Sequence, residues 1–482
     1  MKKYSWISLL LLGALLASCG GGDTVTTDKN NTDSVTGGDT AVTADSYNYP
    51  ELDCGGEPLR ILNANNTWGT YGKLDFAEAT GESLDDVIYE RNRNMEERYN
   101  FVFAVNEDHE IDVATKHFSQ LVMSGDDVYD VAYLRADTLP APLTDGMLYD
   151  LSEIDGFRFD EPWWDSDVIT GGRIGEDRAL YFASNYFSLF GFDSTVCMYF
   201  NEQMFTDLDI EFPYQLVRDG KWTLDRMFEY VQQGMNLNGD TDFTWNAGGN
   251  ATYGVSIWSN GYHALLIGSG ATYADMDANG APIISAADQH FIDVTDKLTE
   301  HVFGVSGAII RTEVTDGLEP FLNGRSMMAV AQVKSANLYR DMEDNFGLIP
   351  MPKYDEAQDD YSCYISSTQL LMTLPITSNS TERTAILMDA LAYESYRDVL
   401  PVYYEQKVSQ KGLRNDDSIE MLDIVRANRY TNFGEIFGWT NALQISIHGK
   451  VSAGSGDIAS LIASNMKTIE KNIENTMDLV NE

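Results

Sequence analysis

The chain is poor in basic side chains and in cysteine, and it lacks the common catalytic motifs. It has 32 Lys and Arg against 75 Asp and Glu, a formal net charge of −43. This excess of negative charge repels nucleic acids and anionic lipid surfaces, so neither is an expected partner. The four cysteines lie at spacings that match no zinc pattern. No H-E-x-x-H, G-x-S-x-G or Walker A sequence occurs. Adjacent acids such as Asp85-Asp86 arise by chance in so acidic a chain, so they are no evidence for a glycosidase.

Long hydrophobic runs are also scarce, and the clearest one lies near Met1. Lys2 and Lys3 precede an apolar run from Ile7 to Leu16, which small residues follow. The run is shorter than the ~20 residues that a membrane-spanning helix needs. A positive start, a short apolar core and a small-residue exit are typical of a secretory signal peptide, which we assign to residues 1–18.

The end of this run carries a more specific pattern. The sequence Leu16-Ala17-Ser18-Cys19 resembles the lipobox of bacterial lipoproteins, in which the cysteine thiol is lipidated and the preceding peptide is removed. The resemblance implies that Cys19 carries a lipid and anchors the chain at an extracytoplasmic membrane face. An ordinary signal peptide that is cut elsewhere is the alternative.

A polar segment follows Cys19. From Gly20 to about Ser46 the chain consists mainly of Gly, Thr, Asp, Ser and Asn, with almost nothing apolar to bury. Such a composition predicts a flexible tether, and we assign residues 19–57 to the lipidated cysteine and its tether. The remainder is longer than a usual single core, which favours two lobes.

The first part of the body alternates between β-prone and amphipathic helical segments. We expect strands at Leu59–Asn63, Phe101–Val105 and Val128–Leu134, with a helix opened by a capping box at Ser83 and another near Val113–Met123. Strand-helix-strand-helix-strand order predicts a mainly parallel sheet covered by helices. Ligands of such sheets sit at the carboxyl ends of the strands. Further predicted elements are a strand at Thr368–Leu374, a helix capped at Asn379–Glu382 and a long amphipathic helix from Asp457 to Val480.

Several segments resemble, in the same order, those of family 1 extracellular solute-binding proteins, the maltose-binding-protein type. The matching segments are the apolar strand Phe192–Asn201, the helix start Trp222-Thr223-Leu224, the strand Tyr253–Trp258, the Gly-basic turn and Met-bearing strand in Phe321–Ala329, and the proline-closed strand Phe346–Pro352.

This resemblance implies a two-lobed α/β fold of the type II periplasmic-binding-protein kind, each lobe a mainly parallel sheet, hinged by crossing strands. It places one lobe at residues 58–192 plus 367–417 and the other at 194–366 plus 418–482. It implies a monomeric binding protein without catalytic residues or cofactor. Such a protein captures a small solute by closure of the lobes and delivers it to an ABC permease.

The same resemblance suggests an oligosaccharide or another carbohydrate as solute. Sugar rings stack on aromatic side chains while their hydroxyls pair with Asp, Asn, Arg and Gln. Tyr262 and Trp439 are the expected stacking rings, and Lys334 departs from the aromatic residue frequent in the family's sugar binders. The residues matching ligand-contacting stretches of the family are Trp68, Arg135, Asp137, Asp193, Trp258, Tyr262, Gln332, Lys334 and Trp439.

Two other functions remain open at this stage. One is a lipid-anchored, glycan-active enzyme outside the cytoplasm. The other is a binding protein for a non-sugar solute such as a peptide, or one that feeds a sensor instead of a permease.

An Arg135–Asp137 surface ion pair is as good an interpretation of these two residues as a ligand contact.

One stretch has oxygen-bearing side chains at every second position. Asn236, Asn238, Asp240 and Asp242 resemble the first half of a calcium loop. Thr241 stands where the tight turn needs Gly, and Ala247 stands where the bidentate Glu would be. Calcium here is therefore the lesser alternative to a polar surface turn.

The resemblance also suggests a disulfide. Cys197 lies within the first expected crossing strand, and Cys363 lies just before the second, at Ile365. Hinge strands that run side by side would bring the two thiols within bonding distance. Two unpaired thiols are the alternative, and Cys54 is left without a partner.

The lipid anchor can be tested directly. The Cys19→Ala variant should be released from the membrane in soluble form, because the lipid would have no thiol to join. The measurement is incorporation of radiolabelled fatty acid during growth. A wild-type chain that takes up no label would contradict the assignment.

Overall fold

The computed structural model describes residues 47–258, 261–311, 314–408, 416–452 and 457–480. Its strands, in chain order, are β1 (Pro58–Asn63), β2 (Val102–Asn106), β3 (Val131–Arg135), β4 (Val196–Asn201), β5 (Tyr253–Trp258), β6 (Asp275–Met276), β7 (Pro282–Ile283), β8 (Ala308–Arg311), β9 (Ser326–Gln332), β10 (Phe346–Ile349), β11 (Cys363–Ile365), β12 (Leu370–Thr373) and β13 (Arg429–Thr431).

The α-helices of the same residues cover both sheets described below. They are α1 (Ser83–Tyr99), α2 (Ile111–Ser124), α3 (Pro140–Thr144), α4 (Ser166–Gly171), α5 (Phe190–Asp193), α6 (Glu202–Asp207), α7 (Tyr214–Arg218), α8 (Leu224–Gly234), α9 (Gly261–Gly268), α10 (Gln289–Leu298), α11 (Val314–Leu322), α12 (Ala336–Tyr339), α13 (Thr381–Glu394), α14 (Leu400–Val408), α15 (Asp416–Ala427), α16 (Phe433–Ile436), α17 (Asn441–Ser452) and α18 (Ile458–Val480).

The first sheet has the strand order β12-β3-β1-β2. Strand β1 pairs in parallel with β2 and β3, whereas β12 returns antiparallel to β3. The alternation expected from the sequence is therefore correct, with shifts of one to three residues at some strand ends. Because β1 and β3 are parallel, the loops after Asn63 and after Arg135 leave the same edge of the sheet.

The predicted helix caps are wrong in detail. Helix α1 starts at Ser83 itself, and Glu82 occupies the N-cap without a side-chain bond. The carboxylate of Asp86 instead accepts hydrogen bonds from the backbone N–H groups of Thr80 and Gly81, at 2.8 and 3.0 Å. The hydroxyl of Ser380, before α13, donates to Asp130 at 2.6 Å and does not cap its own helix. The expected capping side chains therefore bond elsewhere: Asp86 to the loop just before α1, and Ser380 to a distant carboxylate.

The second sheet has the order β10-β4-β9-β5-β8 and is mixed. Strand β5 is parallel to β8 and β9, while β4 is antiparallel to β9 and β10. The expectation of a mainly parallel sheet is met by the first sheet and not by this one. All residues of β4 and β5 are buried, which agrees with their continuous apolar sequences.

Three chain segments pass side by side between the two sheets. The predicted crossing strand 192–201 is shorter than expected, because Phe190–Asp193 forms α5 and the strand starts at Val196. Thr195 forms an antiparallel bridge with Ile365, and β11 pairs in parallel with β13. The lobe boundaries at 192/194, 366/367 and 417/418 remain a prediction.

Residues 47–57, which we assigned to the tether, pack on the body. Tyr47 is buried, and its hydroxyl donates to Asp389 at 3.0 Å. The same carboxylate accepts from the indoles of Trp163 and Trp164, at 3.1 and 2.9 Å, and pairs with Arg158 at 2.6 Å. The start of the body is therefore fixed by one fully buried acid.

The predicted Cys197–Cys363 disulfide is not formed, and Cys54, Cys197 and Cys363 are all free and buried. Burial raises the pKa of Cys363 to about 12 and raises the pKa of Cys197 as well. Disulfide formation requires a thiolate, so both thiols are held in their unreactive form. The thiol of Cys197 donates to the Ala331 carbonyl at 3.6 Å.

Within the described residues, no helix combines the length and the apolar composition that crossing a membrane requires. The 23-residue α18, predicted from its apolar spacing, is amphipathic.

Replacing Asp389 should destabilise the body strongly. The Asp389→Asn variant leaves the half-buried Arg158 guanidinium without its counter-charge, which costs on the order of 3–5 kcal/mol in a buried pair. The measurement is the free energy of unfolding in urea. Asp341→Asn is the matched control, because Asp341 is 86% exposed in its ion pair with Arg340. Equal unfolding free energies for the two variants would contradict the assigned role.

Candidate functional site

A cavity of about 330 Å³ opens where the edges of the two sheets face each other. One wall comes from the loop after β3 and the segment before β12. The other wall comes from the start of α9, from α16 and from α17. The lining residues are Arg135, Asp137, His263, Ser367, Thr368, Glu435, Asn441, Gln444, Ile445 and His448.

The first wall is built on an ion pair. The Arg135 guanidinium lies 2.6 Å from the Asp137 carboxylate and also pairs with Asp112. The backbone N–H groups of Ala136 and Asp137 donate to the segment before β12, which fixes the turn that carries the pair. Burial raises the pKa of Asp137 although Arg135 opposes the shift. The Arg135–Asp137 pair is therefore held in place and presents charged hydrogen-bonding groups to the cavity.

Trp68 lies beside this pair at the end of the loop that follows β1. Its ring is 40% exposed, and the Arg135 guanidinium lies 5.6 Å from the ring centroid. The Lys334 ammonium, just after β9, donates to the Trp68 carbonyl at 3.0 Å and to the Thr70 hydroxyl at 2.7 Å. Lys334 therefore joins the second sheet to the first at the edge of the site.

The second wall carries two histidines. The His263 ring, near the start of α9, stacks at 6.3 Å on the His448 ring of α17, and its Nδ1 lies 3.0 Å from the Tyr273 hydroxyl. His263 is only 9% exposed, and burial, with a smaller contribution from His448, lowers its pKa to about 3. His263 is therefore neutral at physiological pH, when one ring nitrogen donates and the other accepts.

Glu435 completes this wall from α16, which packs against residues 136–138 of the first wall. Its carboxylate accepts a hydrogen bond from the Tyr364 hydroxyl at 3.1 Å. Burial raises the pKa of Glu435 to about 7. The cavity thus contains a carboxyl group that changes between charged and neutral forms near physiological pH.

The two expected stacking rings lie in the core. Tyr262 and Trp439 are each 1% exposed. The Tyr262 hydroxyl bonds to that of Tyr273 at 2.9 Å, and the Trp439 indole donates to Thr476 at 3.0 Å. Trp439 also stacks on Phe437 at 4.7 Å. In this structure both rings are buried in the core, because helix α18 and the segment after α9 cover them.

Three other predicted ligand residues lie off the cavity. Asp193 is fully buried and accepts hydrogen bonds from the Tyr71 backbone and the Tyr403 hydroxyl. Trp258, at the end of β5, is 5% exposed. Gln332 is half-buried beside Lys334, and its amide donates to the Ser194 carbonyl at 3.4 Å. Of the nine predicted residues, the structure gathers Trp68, Arg135, Asp137 and Lys334.

The sequence analysis missed Ser367 and Thr368 of the first wall and every residue of the second wall, which are His263, Glu435, Asn441, Gln444, Ile445 and His448. Ile445 carries the clearest signal, since it is 74% exposed and sits amid polar residues of α17. The sequence offers no period that distinguishes this face of α17 from a solvent-facing one.

The calcium expectation does not fit the structure. The carboxylate of Asp240 accepts from the backbone N–H groups of Asn250 and Ala251, both at 2.7 Å, and that of Asp242 accepts from Thr244 at 2.8 Å. The amide oxygen of Asn236 accepts from the backbone N–H of Asn238. These oxygens close the loop on itself instead of converging on a cation. In the described part of the chain, no three His, Cys, Asp or Glu gather as a metal site.

Comparison with known proteins identifies the fold. No protein-family description and no curated protein matches the chain. A solute-binding protein of an ABC transporter from Thermotoga lettingae, bound with alpha-D-tagatose, aligns with 87% of this chain and 100% of its own, at 12% identity and a TM-score of 0.54. The maltose/maltodextrin-binding domain MalE from Bdellovibrio bacteriovorus, bound to maltotriose, covers 86% and 100% at 14% identity and a TM-score of 0.54.

A third structure, UgpB from Mycobacterium tuberculosis with glycerophosphocholine, covers 84% of this chain and 99% of its own, at 13% identity and a TM-score of 0.56. The chain therefore has the two-lobed α/β fold that these binding proteins share. At this level of identity the likeness concerns the fold.

The buried histidine makes stability depend on pH. The pKa of His263 is about 3 in the folded chain and about 6.5 in an unfolded one. The contribution of the neutral ring to the free energy of unfolding is therefore complete above pH 6.5 and is lost as the pH falls towards 3. The difference in unfolding free energy between wild type and His263→Gln should shift against the wild type by on the order of 2–3 kcal/mol from pH 7.5 to 4.5.

Urea titrations at the two pH values measure this difference. His301→Gln, at a surface histidine, is the matched control. A difference that stays constant with pH would show that His263 titrates alike in both states.

Proposed function

We propose that this chain is the extracytoplasmic solute-binding component of an ABC importer. It is held at the membrane by a lipid on Cys19 and captures a small polyhydroxylated solute, a carbohydrate, for a membrane permease. The fold supports a binding role, since the three solved structures are binding proteins with small ligands. No cofactor takes part in this proposal.

The proposal rests on one observation: the two walls of the cavity come from different sheets. Arg135 and Asp137 come from the first sheet, whereas His263 follows a strand of the second. A solute between them touches both sheets at once, so its binding energy depends on their relative position. Binding by closure works in this way, with affinity set by the contacts minus the cost of closing.

The chemistry of the walls suits hydroxyl groups. Arg135 and Asp137 offer donors and acceptors on one side, and Gln444, His448 and Glu435 offer both on the other. The exposed ring of Trp68 and the exposed side chain of Ile445 provide apolar surface for the CH faces of a sugar. Trp68 offers an exposed ring at this edge, and a cavity of about 330 Å³ favours a monosaccharide or disaccharide over a long oligosaccharide.

The crossing segments provide the hinge for closure. They meet at the Thr195–Ile365 bridge and the β11–β13 pairing, beside which the cavity opens. The Lys334 ammonium, which follows β9 of the second sheet, donates to the Trp68 carbonyl and the Thr70 hydroxyl in the loop after β1 of the first sheet. Opening of the site requires these two hydrogen bonds to break, while the crossing segments stay paired.

One observation favours an enzyme as second candidate. Glu435 has a pKa of about 7, and Asp137, whose pKa is also raised, lines the same cavity. A glycosidase pairs a protonated carboxylic acid with a second carboxylate. Here the second carboxylate is tied to Arg135 by an ion pair, which limits its use as nucleophile or base.

A thermal-shift screen against sugars, peptides and polyamines identifies the solute, since saturation at 100 times Kd stabilises by about 2.7 kcal/mol. Chromatography of the recovered solute then separates binding from catalysis. Intact solute after long incubation supports the binding protein. Cleaved glycan supports the enzyme, and a shift with peptides alone contradicts the carbohydrate assignment.

Trp68→Ala should weaken binding of the identified solute by about five- to 150-fold, because losing a stacked ring costs roughly 1–3 kcal/mol. Its melting temperature should stay close to that of wild type, as the ring is 40% exposed. Isothermal titration measures the affinity.

Phe212→Ala is the matched control, because Phe212 is 36% exposed and does not line the cavity. Equal affinities for the Trp68 and Phe212 variants would remove Trp68 from the site.

A further inference from the structure

A second, larger cavity of about 620 Å³ lies beside the crossing segment β13. Its walls come from the chain before and within α4, from the end of α15 and from β13. Its inner residues include Asp165, Tyr186, Arg426 and Arg429. It shares no lining residue with the first cavity, so a ligand here would make different contacts.

The deep end of this cavity holds hydrogen-bond donors without acceptors. A recess of about 10 Å³, the size of one oxygen-bearing group, extends between Asp165, Tyr186 and Arg429. At its walls, Asn185 Nδ2, Ser188 Oγ and Arg429 Nε have no hydrogen-bond partner among the described residues. These three side chains are 4%, 9% and 7% exposed.

The orientation of these donors is fixed by their other contacts. The amide oxygen of Asn185 accepts from the Phe187 backbone at 3.1 Å, so its NH2 group must point the other way. A terminal nitrogen of Arg429 pairs with Asp165 at 2.7 Å and holds the guanidinium in place. Leaving a buried donor unsatisfied costs about 1–3 kcal/mol, and a ligand that supplies acceptor oxygens removes this cost.

The charged side chains around the cavity also favour a ligand with negatively charged acceptor oxygens. Arg173 and Arg178 line its outer part and donate only to backbone carbonyls, and no carboxylate of the described residues lies within ion-pair distance of either. Of the acids, Asp165 is paired with Arg429. Asp167 is half-buried near it and has a pKa raised to about 7 by desolvation and by Asp165. The remaining acids, Asp160 and Glu161, are exposed at the opening.

The opening carries aromatic surface for the rest of a ligand. The rings of Tyr186 and Tyr396 lie 5.4 Å apart, and both line the cavity. Rings of this kind pack on the CH faces of sugars.

We propose that the second cavity binds a carboxylate-bearing saccharide, a uronic acid. One carboxylate oxygen enters the recess and accepts from Arg429, Asn185 and Ser188, and the sugar ring packs against Tyr186 and Tyr396. Because Arg429 belongs to β13, which pairs with β11, the occupied site lies against the hinge. The proposal does not depend on the nature of the solute in the first cavity.

The test is isothermal titration of the purified full-length chain with glucuronate and with glucose, which differ at one carbon. Wild type should bind glucuronate at least tenfold more tightly than glucose. Ser188→Ala should weaken glucuronate binding severalfold, since it removes a donor to the carboxylate, and Arg173→Gln should weaken it severalfold because it removes a positive charge from the outer part of the cavity. Arg226→Gln, at an exposed arginine elsewhere, is the matched control for loss of charge.

Melting temperatures of the variants establish that they are folded; Arg173 is half-buried and has no acid partner, so its replacement is the safer of the two. Equal affinity for glucose and glucuronate overturns the proposal, as does unchanged binding in both variants. Binding that is lost in Trp68→Ala and retained in Arg173→Gln places glucuronate in the first cavity, which also overturns it while leaving the importer proposal intact.

Discussion

The pairing of the three crossing segments is the constraint on which the two-sheet architecture depends. Thr195 forms an antiparallel bridge with Ile365, and β11 pairs along its length with β13, so these three segments of the described chain run together in one narrow bundle. Backbone hydrogen bonds between buried segments tolerate bending but not separation. Both cavities lie beside this bundle: the first is lined by residues that follow β11, and the second by Arg429 of β13.

Buried carboxylates fix the loops around this bundle. Asp389 holds Tyr47 and two indoles, Asp193 holds Tyr71 and Tyr403, and Asp137 holds Arg135. In a chain with 75 acids most carboxylates lie in solvent, but Asp389 and Asp193 lie inside and accept from several donors, and Asp137 is half-buried in its pair with Arg135. A buried charge is tolerated only with such partners, so each one makes its surroundings rigid.

The two cavities differ in what they leave unsatisfied. In the first, Arg135 and Glu435 already have protein partners, so a solute there competes with or extends existing hydrogen bonds. In the second, Asn185 and Ser188 present donors without acceptors. Neutral hydroxyl groups suit the first arrangement and an anionic group suits the second, because charge-assisted bonds satisfy buried donors best.

Local sequence patterns determined most of the elements. Apolar continuity predicted β4 and β5, apolar spacing predicted α18, and the order of strands and helices predicted the parallel part of the first sheet. These features depend on residues a few positions apart, so one sequence contains the necessary information. The predicted helix caps are wrong, because Ser380 bonds to a distant carboxylate and Asp86 bonds to the neighbouring loop.

The exposure of each aromatic ring was decided only by the tertiary structure. Trp68 and Trp439 are the same residue type in similarly polar segments, yet one is 40% exposed and the other 1%. The difference arises because Thr476 of α18, distant in sequence, covers Trp439, whereas the loop after β1 leaves Trp68 open. Likewise, His263 and Glu435 became neighbours of Arg135 only when the crossing segments brought the two sheet edges together. The sequence thus determined which elements form, and long-range packing determined which side chains a solute can reach.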